Sequence, residues 1–97
     1  MPYIPLNDRT QYQEAIRELA ILIPKDRTKR CGHMNYVISL LIEKVYGKEM
    51  RYADHNEIVG LLTCAKDELY RIKTGPYEDK AIEKNGDLSD LPEERDE

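Results

Sequence analysis

Apolar side chains recur along this sequence at helical spacing, and no segment shows the period-two alternation of a half-buried strand. Tyr12, Ile16, Leu19 and Ile23 stand four, three and four residues apart, which predicts a helix over Asp8–Leu22 with one apolar face. Asn7 or Asp8 is placed to cap it, Ile4 and Leu6 to staple its entry, and Pro24 to stop it. Met34, Val37, Ile38, Leu41 and Val45 stripe a second helix that starts near Gly32 or His33 and ends at Tyr46, with Gly47 as its left-handed terminal cap. Tyr36 and Leu40 fall about 120–160° from the centre of that stripe, so this helix has two apolar sides and calls for a second partner. In the third helix, Asp54-His-Asn-Glu57 has the form of an acidic cap with a reciprocal glutamate. Ile58, Leu61, Leu62, Ala65, Leu69 and Ile72 then hold one face until Gly75-Pro76 ends it. Pro76 suits the first position of a short fourth helix, with Glu78 and Asp79 at its positive end and Asn85-Gly86 closing it. The predicted fold is all-α: a compact three-helix bundle with a short fourth helix across it, one domain over residues 1–87 and a disordered acidic tail over 88–97.

Size narrows the field. At 97 residues and 11.4 kDa, with 40% apolar and 35% charged residues, the chain has material for one thin core. A chain of this size buries only about 60–65% of its unfolded surface, so a homo-oligomer, a dimer, is the expected state. No apolar run approaches the about 18 residues of a membrane span, and the first residues lack a secretory signal. Cys31 and Cys64 form no CxxC pair or disulfide framework, which places the protein in a reducing cytoplasm. A membrane protein, a secreted cystine-rich scaffold and a large multi-domain enzyme are excluded on these grounds.

The net charge of −4 conceals a division: residues 78–97 carry nine acidic and three basic side chains, which leaves the remainder at +2. Within that remainder Lys25, Arg27, Lys29 and Arg30 crowd together, opposed only by Asp26, just ahead of the second helix. Free amides at a helix start, the helix dipole and nearby guanidinium groups together favour a phosphate or carboxylate. Arg27, Lys29 and Arg30 are therefore the candidate charges of an anion site, Asn35 a neutral donor, and Tyr36 or Tyr70 a stacking surface. Asn56, Gly60, Thr63 and Asp67 make a stripe of small polar residues on the third helix, and Asn56, Gly60 and Thr63 with Leu40 are the candidate homodimer contacts.

Other chemistries find little support. Cys31, His33, His55 and Cys64 are metal ligands by type, but His55 and Cys64 lie nine residues apart on one helix and face opposite ways. No nucleophile–base–orienter set is present, so no catalytic residues, metal or cofactor are expected. One short basic patch on a chain with pI near 5.2 is a poor match for duplex nucleic acid.

The opening Met1-Pro-Tyr-Ile4, Gly32-x-x-Asn35-Tyr36-x-Ile38, Asn56-Glu57-Ile-x-Gly60, Glu68-Leu-Tyr-Arg71, Pro76-Tyr-Glu-Asp79 and Glu83-x-Asn85-Gly86-Asp87 together resemble a family of small proteins of unknown function from bacteria and their phages. The resemblance covers about residues 1–88, and Lys25–Arg30 departs from it as a basic insert. It implies an all-α fold and a phage or mobile-element setting, hence a host cytoplasm, and supplies no catalytic residues. The expected function is a non-catalytic binding protein that sequesters a small phosphate-bearing ligand such as a signalling nucleotide. The alternative is a protein–protein adaptor or inhibitor acting through a helix face and the acidic tail.

Overall fold

The computed structural model of the chain describes residues 2–91; the predicted tail over 88–97 falls mostly on residues 92–97, which lie outside the described residues, as does Met1. Helix α1 (Leu6–Leu22) begins at Pro5, without a side-chain cap, and ends where Ile23 turns extended ahead of Pro24. That ending follows from the clash between a proline ring and a helical residue before it. Helix α2 (Arg30–Tyr46) starts two residues ahead of the predicted Gly32, and Gly47 closes it with φ +87° and an N–H donated to the Glu43 carbonyl. Helix α3 (Tyr52–Leu69) also starts early: Asp54 is its third residue, not its cap, and its Oδ2 accepts the Arg51 N–H at 2.9 Å.

The third and fourth predicted helices are one. From α3 the chain passes through a π-helical turn (Tyr70–Thr74) directly into α4 (Gly75–Asn85), a continuous helix of 34 residues. Proline inside an α-helix removes one hydrogen bond and drives its ring into the carbonyl four residues back. Here the Gly75 N–H reaches the Tyr70 carbonyl five residues back, and this wider turn gives Pro76 room. Glycine is favoured at position 75 by that geometry, because a Cβ there would stand a tight 3.0 Å from the Tyr70 carbonyl oxygen. The Tyr70 hydroxyl bridges the turn to Glu78 Oε2 at 2.9 Å. Gly75-Pro76 thus widens the helix where the sequence predicts that it ends.

The apolar stripes predicted to face one another in a compact bundle remain largely in water. Among the described residues only Ile58 is buried. Ile16 is 62% exposed on α1, Leu41 59% and Val45 70% on α2, and Leu69 58% on α3. Because the long helix does not fold back at Gly75-Pro76, α4 continues the axis beyond the π turn instead of lying across the other helices. The radius of gyration is 19.6 Å and the extents are 65 × 34 × 31 Å, against about 13 Å for a compact domain of this length. An open arrangement of three helices, not a closed bundle, is what one chain forms.

Candidate functional site

The basic loop is built around Asp26. Its Oδ1 accepts the Thr28 N–H at 2.9 Å and the Thr28 hydroxyl at 2.8 Å, and its carbonyl accepts the Lys29 and Arg30 N–H groups at 3.0 Å each. The backbone N–H of Thr28, then its hydroxyl, hold the Asp26 carboxyl below the usual carboxylate range. The one acid in the loop is thereby committed to the turn, and so are two of the amides that an anion at the head of α2 would use. Lys25 donates from Nζ to the Ala20 carbonyl at the end of α1, a favourable place for a cation. Arg27, Lys29 and Arg30 are exposed and join no ion pair among the described residues.

The turn brings Arg27, Lys29 and Arg30 together, but not with the rest of the predicted anion site. The hollow nearest the start of α2 is lined by Gly32, His33 and Tyr36, with none of the three cations on its wall. Asn35 stands along the same helix, where its Oδ1 accepts the Ser39 hydroxyl. Tyr70 sits in the π turn, engaged with Glu78, and lines neither hollow beside α2. The predicted dimer contacts are also dispersed. Leu40 is half-buried on α2. Asn56, Gly60 and Thr63 are exposed on α3, Thr63 turns its hydroxyl back to the Val59 carbonyl, and a Cβ on Gly60 would meet open space.

The most apolar hollow combines residues of the predicted core stripes, Leu19, Val37 and Leu41, with Tyr36 and Leu40 from the second side of α2. Between α1 and α2 runs an apolar groove of about 330 Å³, lined by Leu19, Tyr36, Val37, Leu40 and Leu41, with Lys44 at its edge. Its signal was present in the sequence as the α1 stripe and both apolar sides of α2. Almost no polar group points into it, so it offers apolar contact and no chemistry.

A second constellation ties the N-terminal segment to α3 and the π turn. The Tyr3 hydroxyl donates to Glu68 Oε1 at 2.6 Å, and Arg71 donates to the same oxygen from Nε at 3.1 Å and from Nη2. Arg9 lies over the Tyr3 ring, 5.9 Å from its centroid, and binds the Ile4 carbonyl through Nε. Pro2 covers a small apolar hollow with Leu61, Cys64 and Ala65. The hydrogen bond from Tyr3, then that from Arg71, hold the Glu68 carboxyl below its ordinary range, and the same bond raises the Tyr3 phenol. Tyr46 makes a similar pair with Glu57 at 3.1 Å across the α2–α3 connection, and loss of water around it, more than Glu57, raises its phenol. These residues form a strap and a clasp. The opening and Glu68–Arg71 motifs hold the strap residues, and the Asn56-Glu57 motif holds one partner of the clasp.

Cys31 and Cys64 are exposed free thiols, and among the described residues no three His, Cys, Asp or Glu side chains gather as a metal site. No described helix is long and apolar enough to cross a membrane. A family model described as a domain of unknown function (DUF6899) matches residues 1–88. Neither a curated protein nor a solved structure matches the chain.

Proposed function

The chain belongs to the DUF6899 family, a domain of unknown function, and from that premise we propose that it is a non-catalytic interaction module, an adaptor or inhibitor that acts through its helix faces. One observation carries this: α1, α2 and α3 all keep apolar stripes in water while a single side chain among the described residues is buried. Apolar surface on that scale is unfavourable in isolation and marks a place where another molecule sits. The setting proposed with it, bacterial or phage, rests on the resemblance of the motifs quoted above.

Small-angle scattering on the purified chain tests the proposal. An extended particle, or an assembly larger than one chain, is expected. A monomer with a radius of gyration near 13 Å, the value of a compact domain of this length, would mean that the stripes cover one another within the chain and would overturn it.

Capture of a small phosphate-bearing ligand is the second reading, supported by Arg27, Lys29 and Arg30 at the positive end of α2, which join no ion pair among the described residues. Arginine at a helix start opposes the dipole, and a bound anion relieves that. Calorimetry with inorganic phosphate and a nucleotide panel is expected to give salt-sensitive heat that Arg27→Ala with Arg30→Ala removes. Absence of heat with the unaltered chain rejects this second reading.

A further inference from the structure

Building on the interaction-module reading, we infer that the partner seated on the α1–α2 groove is a second copy of this chain. Two copies, related by a two-fold axis, close between them the helical bundle that one copy leaves open.

Area supports a partner of this size. A compact 11.4 kDa protein exposes about 5,800 Å², whereas this chain exposes 9409 Å². The excess is on the order of 3,600 Å² per chain, a share of it contributed by the extended residues after α4, where Leu88 is 99% and Leu91 79% exposed. A partner meeting it through a standard interface covers only about 800 Å² and leaves most of the excess in water. Obligate homodimers bury about 2,000–5,000 Å² in total, within what two such chains can supply. A peptide or a small ligand cannot cover it.

Texture narrows the choice. The groove of Leu19, Tyr36, Val37, Leu40 and Leu41 accepts only an apolar ridge. Leu61, Leu62 and Leu69 on α3 are exposed and present one at helical spacing. Groove and ridge therefore occur on the same molecule. A two-fold interface uses such a pair twice, each copy offering its ridge to the other's groove.

Charge agrees. The basic loop holds Arg27, Lys29 and Arg30, and α4 holds Asp79 and Glu83 one turn apart, all exposed and none in an ion pair among the described residues. Lys80 and Lys84 follow them around the same helix and leave α4 with a net charge of −1, so the match is to one side of the helix. An arrangement that sets the loop of one copy against the Asp79–Glu83 side of the other pairs opposite signs twice. It also gives the basic insert a role that needs no phosphate ligand.

The test is the mass of the unaltered full chain by light scattering over a concentration series. Twice 11.4 kDa is the expected result. Leu41→Glu, placed in the groove, is expected to bring the mass down to one chain. Should that variant lose its helical circular dichroism, the unaltered chain still decides. A single-chain mass at every concentration with a radius of gyration near 19.6 Å overturns the second copy and leaves the interaction module standing for another partner. A single-chain mass with a compact radius overturns both, and a mass above two chains overturns the two-fold arrangement. Arg27→Glu with Arg30→Glu is expected to weaken self-association at least tenfold at low salt, as is Asp79→Lys with Glu83→Lys. Mixing the two variants is expected to restore a dimer of one of each, and failure to recover it overturns the loop-to-α4 pairing.

Discussion

Oε1 of Glu68 receives the Tyr3 hydroxyl and two nitrogens of Arg71 while its side chain is 17% exposed. Its carboxyl is held below the ordinary 4.5, so its contribution to the strap is complete above that value and disappears as the pH falls through the lower folded value. Tyr3 is raised above 10.0, so its contribution is complete below that value and is lost as the pH climbs through the raised one. The strap is therefore expected to hold between these limits and release at either end, which the Tyr3 ring signals in an NMR pH titration will report. The glycines separate as clearly. Gly60→Ala meets open space and is expected to stabilise by about 0.5–1 kcal/mol, the usual gain inside a helix. Gly75→Ala meets the Tyr70 carbonyl at 3.0 Å and is expected to lose that gain. Urea midpoints of the two variants compare them directly.

Among the elements, helix positions were readable because each depends on local rules. Pro24 stops α1, Gly47 and Gly86 stop α2 and α4 with positive φ, and the 3.6-residue rhythm fills the space between. The continuity of α3 with α4 was not readable. Pro76 lacks an N–H in any conformation, and a stop and a π turn share the same Gly-Pro signature. Asp54 misled by one turn for a similar reason, since a carboxylate receives a backbone N–H whether it precedes the helix or sits third within it. Pro76→Ala restores the missing donor and removes the need for the wide turn. Its expected gain in thermal stability is below the about 3 kcal/mol cost of a proline in a regular helix, because the π turn already relieves the clash. With the turn narrowed, Tyr70 parts from Glu78, and its phenol, now raised chiefly by that hydrogen bond, returns towards 10.0.

For the molecule as a whole, the stripe of Leu41 and Val45 was legible as apolar, but a stripe does not state whose surface covers it. Tyr70 stands apart from the basic loop for a related reason. Nearness in sequence placed Arg27 beside Arg30, but it held no information about Tyr70. If two chains finish one bundle, the melting temperature is expected to climb with protein concentration, which calorimetric scans over a hundredfold range will detect. Raising the salt is expected to depress it, since exposed charges are screened within about 10 Å at 0.1 M. Burial of Ile58 alone among the described residues also bears on the protein's life in a cell. If pairing completes the core, a newly synthesised copy that has met no other would unfold readily and fall to proteases, and a paired one would not. Survival would then depend on the chance of encounter, so doubling synthesis would more than double the standing pool, and a slowly expressed gene would leave almost none.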